Sequence, residues 1–239
     1  MVQQRINRNK LVSLTLEDGS SIRGHARVAQ EAVHYFQSLL NVEGSLYPGR
    51  DLLNQFINKS LSHDQVLDMD QEDSREEIIV AFLSIHPNKA PGPDGFNGHF
   101  FRETWDSIGK DIIAGVKYFF DTGRLLKELN ATAITLLPKV KNPSSLHDFR
   151  PISCCSTIYK CISKVTANRL KRVLPSLIDK SQTAFIKGRH ISDNILLTQE
   201  LFRNYHRKDS PVRGAIKVDL KKAFDYVRWE FILDLLSVL

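Results

Sequence analysis

The chain has 239 residues, 42% hydrophobic and 25% charged, an ordinary globular balance with length for one large folded domain or two small ones. Its first ten residues are polar and basic with no apolar run behind them, which excludes a secretory signal, and no apolar stretch approaches membrane-spanning length, so a soluble intracellular protein is expected, nuclear or cytoplasmic being left undetermined. The three cysteines, Cys154, Cys155 and Cys161, are odd in number and lack C-x-x-C spacing, which excludes a disulfide framework or a zinc site even with His147 nearby; they read as free thiols on an apolar helix.

Val12, Leu14 and Leu16 alternate with polar residues ahead of Asp18-Gly19, a two-residue turn signal that predicts a hairpin into Ser21-Ile22-Arg23. A helix follows, with Val28, Ala29, Ala32, Val33, Phe36, Leu39 and Leu40 on one face, ended by Asn41 to Gly49. Residues 48–73 are irregular and increasingly acidic and read as a linker or loosely packed connection. Ser74 with Glu77 is a capping-box signature for a helix through Ile78, Phe82 and Ile85 that stops near Pro87.

Ala90-Pro91-Gly92-Pro93-Asp94-Gly95 is dense in turn formers, so the chain reverses there. Trp105, Ile108, Ile112, Val116 and Phe119 keep a three-four rhythm up to Gly123. The β-branched run from Thr132 to Leu137 predicts a strand closed by Pro138, then a loop from Lys141 to Asp148 and a returning strand. Ile158, Ile162 and Val165 predict a helix toward Leu174, with Pro175 as its stop. Asp193 is expected to cap a helix through Ile195, Thr198 and Phe202, broken by Asp209-Ser210-Pro211. Ala215 to Asp219 reads as a buried strand delivering an aspartate at its end, with a further helix from about Val227.

Charge is segregated along the chain. From Lys139 to Arg189 eleven Lys and Arg face only Asp148 and Asp179, a net of +9 that leaves −3 for the rest of a chain whose total is +6. Such a block fits either a nucleic-acid surface, where neutralised phosphates release counterions, or a solvated basic face. Lys160, Lys164 and Lys171, with Asn168 between them, recur at helical spacing and carry the same two readings. An aspartate at a strand end, such as Asp219, usually caps a turn; beside a basic surface it is also the ligand type for Mg²⁺ arriving with nucleotide phosphates.

Val218-Asp219-Leu220-Lys221-Lys222-Ala223-Phe224-Asp225 resembles the first palm motif of reverse transcriptases in the form typical of non-LTR, LINE-type retrotransposons. Further stretches are similar in matching order. Lys89 to Phe96 resembles the element that opens the polymerase region, while Ile134 to Lys139 and Asp148 to Ser153 resemble the two fingers motifs. Tyr159-Lys160, Asn168-Arg169-Leu170, Gln182 to Phe185 with Gly188-Arg189, and Ile191 to Asn194 continue the likeness in a style close to plant elements. It runs from about Glu76 to the end, and the first seventy residues look like the connector to an upstream endonuclease.

The resemblance implies an α+β fold, the fingers and the start of the palm of a right-hand polymerase, truncated and preceded by a small hairpin-plus-helix connector. Three segments follow: residues 1–70 as connector, 71–130 as a helical N-terminal extension, and 131–239 as an incomplete reverse transcriptase domain. It implies RNA template, DNA primer and dNTP as partners, no membrane, and Mg²⁺ as cofactor, two ions in the intact enzyme and at most one weak site here. Asp219 is then the catalytic, metal-binding aspartate. Arg150 grips the triphosphate with a guanidinium fork, Lys139 adds a phosphate contact, and the backbone from Leu220 to Ala223 lies near it. Phe224 stacks under the incoming sugar or is simply a core residue. Lys160, Lys164, Lys171 and Arg189 would track nucleic acid, while Gln182 and Asn194 read equally as structural polar groups. The family's second acidic motif, an aromatic-x-Asp-Asp turn, does not occur in the sequence. The isolated chain is therefore expected to lack polymerase activity without the C-terminal palm and thumb; the alternative is a non-catalytic nucleic-acid-binding remnant.

Overall fold

Two short antiparallel hairpins and a set of helices account for the described residues, which in this computed structural model are 11, 13–16, 18–40, 49–203, 205, 216–219 and 227–239. They are mixed helix and sheet, as the α+β reading expects. Contacts group the chain into two units, 1–43 with 72–167 and 44–71 with 168–239, so the units interleave along the sequence and their boundary falls inside one long helix.

In the first unit, β1 (Ser13–Thr15) pairs with β2 (Ser21–Arg23), setting Leu14 opposite Ile22. The backbone closes between Leu16 and Ser20, whose N–H···O contact is 2.8 Å, with Gly19 in the left-handed region at φ 84°; this is wider than the two-residue turn read from Asp18-Gly19. Helix α1 (His25–Leu40) lays Val28, Phe36 and Leu39 onto Leu14 and Leu146, with Ala32 and Tyr35 alongside. Ala29 and Val33 face solvent, so the buried stripe is narrower than the sequence pattern drew it.

A larger core joins α4 (Arg75–Leu83), α5 (Gly98–Glu103), α6 (Trp105–Thr122) and the first half of α8 (Thr157–Leu177). Ile78, Phe82, Phe101, Ile112, Val116, Cys161 and Val165 are buried together, each large side chain contributing about 1.5–3 kcal/mol of hydrophobic stabilisation. The helix starts are fixed locally: Ser74 Oγ accepts from Glu77 N–H at 3.0 Å and Asn97 Oδ1 from Phe100 N–H at 3.1 Å. Gly123, at φ 67°, ends α6 with its N–H on Phe119 O. Of the three thiols only Cys161 sits on a helix, where burial pushes it up to about 12; Cys154 and Cys155 lie half-buried on a strand.

After the single turn α7 (Lys127–Asn130), β3 (Thr132–Pro138) and β4 (Phe149–Cys155) form the expected strand–loop–strand unit, Thr132 opposite Cys155 and Leu137 opposite Arg150. Its loop is held from both sides. Asp148 accepts N–H bonds from Ser144 (2.9 Å) and Ser145 (3.0 Å), which, with Lys139 and His147 nearby, hold its carboxyl below the usual carboxylate range. From the N-terminal side, Thr15 N–H donates to Ser144 O at 2.7 Å, and Tyr35 Oη lies 3.0 Å from His147 Nδ1.

The turn-rich stretch at 90–96 is a docked loop, pressed onto the point where β4 gives way to α8. A Cβ on Gly92 would lie 2.5 Å from Ser156 N and 2.7 Å from Ser156 Cα. Around it Lys160 Nζ donates to Ala90 O (2.6 Å), Thr157 Oγ1 to Phe96 O (3.0 Å) and Ser156 Oγ to Leu129 O (3.0 Å), while Ser156 Oγ also caps α8 by accepting from Tyr159 N–H.

In the second unit, the stretch expected as a linker contains two helices, α2 (Arg50–Phe56) and α3 (His63–Met69). Ser62 and Gln65 cap α3 reciprocally, a box hidden among acidic residues. Asp68 pairs with Arg172 at 3.1 Å and Met69 O accepts from Arg169, fastening α3 to the end of α8. That helix runs past Pro175 to Leu177, because a proline in the last turn removes only one N–H and does not end the helix. Helix α9 (Ile191–Phe202) is preceded by His190 at the N-cap, so Asp193 lies inside the first turn, where the helix dipole favours it, rather than capping. Helix α10 (Trp229–Val238) packs near α2 through Arg50 Nη2 to Ser237 O at 2.9 Å.

Residues 216–219 form no strand and are not buried: Ile216 is 91% and Val218 78% exposed. The buried-strand expectation is corrected there, since no neighbouring strand among the described residues covers these side chains. The breaker at 209–211 lies outside the described residues. No helix among them is long and apolar enough to cross a membrane.

Two measurements check this packing. Gly92→Ala is expected to lower stability by about 1–3 kcal/mol, because the methyl meets backbone that cannot swing aside, whereas Gly115→Ala in α6, with open space around it, is neutral or stabilising by up to about 1 kcal/mol; thermal melts of both decide. Because the folded-state pKa of Asp148 is lowered, its contribution is complete above the unfolded value and is lost as pH falls through the folded one. The Ser144 and Ser145 amide resonances should titrate together with a midpoint below about 3.9, and Asp148→Asn should abolish the transition; a midpoint at or above that value contradicts the loop geometry.

Candidate nucleic-acid interface

Strand alternation puts Arg150, Ile152 and Cys154 of β4 on one face. Arg150 is exposed, and among the described residues it has no hydrogen-bonding side chain or ion pair, which leaves the guanidinium fork open to a bidentate oxyanion. Lys139, four residues after Thr135 on the opposite strand's exit, is used differently. Its ammonium donates to His147 O at 2.6 Å and its N–H to Asp148 O, closing the hairpin loop.

Beyond Ile152 and Cys154 opens a cavity of about 520 Å³ between the 84–90 segment, β4 and the first turns of α8. Lys89, Lys160 and Lys164 line it with His86, and no carboxylate does. Two of these, Lys160 and Lys164, are one helical turn apart, which is why their spacing in the sequence was informative. Lys160 also holds the docked loop through Ala90 O, so its positive charge is fixed in place. Lys89 was missed as a site residue, although it opens a motif the sequence singles out; what brings it to the lysines is the fold of the 90–96 loop, which spacing alone does not give. A concave wall carrying three ammonium groups without a counter-charge is suited to a phosphate backbone or a polyphosphate.

In the second unit Lys171 is exposed on α8. Arg189 is not: its Nη1 donates to Asp179 O and to Gln182 O (2.7 Å), its Nη2 to Pro175 O (3.3 Å) and Ile178 O (3.2 Å). Four donors are thus committed to carbonyls at the end of α8 and in the loop after it. Asn194 and Gln182 act within the same loop, Asn194 Nδ2 donating to Ser181 O and Thr183 Oγ1, and Gln182 Nε2 to Ala184 O.

The basic block therefore divides in two. Lys139, Lys160, Arg169, Arg172 and Arg189 hold structure, while Lys141, Arg150, Lys164, Lys171, Lys180 and Lys187 have no hydrogen bond or ion pair from their side chains among the described residues.

Asp219 is exposed, while Leu220, Ala223 and Phe224 lie outside the described residues. No group of three or more His, Cys, Asp or Glu among the described residues could hold a metal ion. Asp219 belongs to no such group among the described residues, and one carboxylate does not make a divalent-metal site on its own.

Residues 138–238 match the reverse transcriptase (RNA-dependent DNA polymerase) family. Over 238 residues the chain is 27% identical to the transposon TX1 uncharacterized 149 kDa protein of Xenopus laevis, an alignment covering 97% of this chain and 18% of that protein. It is 29% identical over 147 residues to the retrovirus-related Pol polyprotein from type-1 retrotransposable element R2 of Nasonia vitripennis, covering 62% of this chain and 14% of that protein. To the type-2 element R2DM polyprotein of Drosophila melanogaster it is 23% identical over 213 residues, with 84% and 20% covered. The chain thus spans a fifth or less of the length of these curated relatives. The likeness is thus to the reverse transcriptase family over residues 138–238 and to transposon and retrotransposable-element proteins over most of the chain.

Proposed function

We propose that this chain is the fingers and first palm portion of an RNA-directed DNA polymerase from a LINE-type element of plant-like style, with residues 1–70, 71–130 and 131–239 as connector, N-terminal extension and incomplete polymerase domain. The observation that carries the reading is the carboxylate-free cavity of Lys89, Lys160 and Lys164 beside the strand face of Arg150, inside or next to the segment that matches the family. RNA template and DNA primer are its macromolecular partners, and a dNTP its small substrate.

Arg150 supplies a bidentate contact to the nucleotide's phosphates, and Lys139 orders the loop behind it while adding positive charge. Lys160, Lys164 and Lys171 track the nucleic-acid backbone. Arg189 serves by holding the loop after α8 in one conformation. Asp219 is assigned as a metal-binding, catalytic aspartate, Leu220 and Ala223 as backbone neighbours of the triphosphate, and Phe224 as the aromatic under the sugar. Reverse transcriptases as a family use divalent metal ions, Mg²⁺ in this proposal, and a pair of ions needs carboxylates from more than one segment. Among the described residues Asp219 belongs to no group of three or more candidate ligands, and we infer that the chain binds without turnover. A second reading is a non-catalytic nucleic-acid-binding remnant, for which the basic cavity alone would suffice.

Salt-titrated binding of a single-stranded RNA tests the shared part. Lys164→Glu should weaken binding by roughly tenfold at moderate salt and flatten the log–log salt slope by about one, with the melting temperature unchanged; Lys160→Glu should weaken binding and also lower the melting temperature, since it loses Ala90 O. Unaltered affinity in the Lys164 variant would refute the cavity as an interface. RNA-templated extension with Mg²⁺ separates the two readings: incorporation that disappears in Asp219→Asn means a working enzyme, and none means binding alone.

A further inference from the structure

The loop from Ile178 to His190 is built to be rigid, yet it presents one large apolar side chain to solvent. Phe185 is 93% exposed and sits at φ 65°, the one non-glycine residue at positive φ among those described. Aromatic residues rarely adopt that backbone conformation, and where they do the surroundings hold them in it. Here the surroundings are plain. Thr183 and Ile186 on either side are buried, Thr183 Oγ1 accepts from Asn194, Ile186 O accepts from Arg189 N–H, and the Arg189 guanidinium binds four carbonyls between Pro175 and Gln182. Gly188, at φ 81°, completes the turn.

The chemistry around the ring is cationic. Lys180 and Lys187 flank it, both exposed and without partners among the described residues, and the loop's one acid, Asp179, accepts from Ser181 N–H at 2.9 Å. Within this loop Ile186 is buried and Ile178 half-buried, so the ring is the large apolar group the loop itself exposes, with Lys180 and Lys187 as its charged neighbours in the loop; exposed aliphatics resume on α9 at Ile191. A flat, uncharged face flanked by ammonium groups matches a nucleobase flanked by phosphates.

We propose that Phe185 is a stacking platform for an unpaired base of single-stranded nucleic acid, held ready by the Arg189 clasp, with Lys180 and Lys187 meeting the adjoining phosphates. This deepens the nucleic-acid reading above and rests on it. Left-handed backbone at Phe185 is then a constraint retained for recognition, because a glycine there would suit the fold better.

Single-stranded RNA binding by the full chain, read by fluorescence anisotropy, tests it with three variants. Phe185→Ala should weaken binding about tenfold with the salt slope unchanged, since stacking releases no counterions. Phe185→Gly should weaken binding equally while raising the melting temperature, a combination that a purely structural role does not give. Phe185→Trp should retain affinity and show indole fluorescence quenching on RNA addition beyond that of the parent's Trp105 and Trp229. If the parent binds RNA and Phe185→Ala binds equally well, this proposal fails alone. If Phe185→Ala alters self-association in sedimentation and not RNA affinity, the ring belongs to a protein contact and the proposal also fails. If the parent does not bind RNA, the functional reading falls and takes this one with it.

Discussion

Backbone-to-backbone contact at Gly92 and Ser156 is the constraint on which the first unit depends. A loop with three turn-forming residues in a row can lie against another chain segment this closely only where no Cβ intervenes. That approach lets Lys160 reach Ala90 O, Thr157 reach Phe96 O and Ser156 reach both Leu129 O and the start of α8. One junction thereby aligns the end of β4, the first turn of α8 and the segment bearing Lys89. The same alignment turns three lysines scattered over seventy-five residues into one lined cavity.

Cations in this protein do two kinds of work, and their surroundings separate them. Guanidinium and ammonium groups that meet carbonyls terminate helices and close loops; Arg189 is the extreme case, receiving the carbonyls that the end of α8 leaves without intrahelical partners. Groups that meet no partner among the described residues, Arg150 and Lys164 foremost, are those with donors to offer a polyanion. A count of charge along the chain sees both kinds alike, so the +9 block does not by itself say which cations are spent on the fold.

Local rules carried far in the sequence. Alternation before a turn gave the first hairpin, a β-branched run closed by Pro138 gave the second, and the Ser74 cap and Gly123 gave the start of α4 and the end of α6. Three kinds of feature did not show. The helices α2 and α3 were hidden because acidic residues lowered their apparent apolar pattern, although the Ser62–Gln65 box was present. The helix end at Pro175 was placed early because a proline in a last turn looks the same in sequence as one that terminates a helix. The segment at 216–219 has a strand's composition, but a strand exists only with a partner, and none stands beside it among the described residues. For the candidate site, helical spacing placed Lys160 and Lys164 one turn apart as they are found, whereas the commitment of Lys139 and Arg189 to carbonyls depends on folded geometry.

The match to the reverse transcriptase family begins at Pro138, the last residue of β3 and so partway through a hairpin, while the likeness to the transposon TX1 protein runs along 97% of the chain. Its strand β4 pairs with Thr132–Pro138, six of whose seven residues precede that point, and Leu146 at the loop clusters with Leu14, Val28, Phe36 and Leu39 from the amino-terminal region. The stretch matched by the family and the piece that folds mechanically are consequently different objects. Anyone excising residues 138–238 for expression would strip one sheet of its partner and bare a hydrophobic loop.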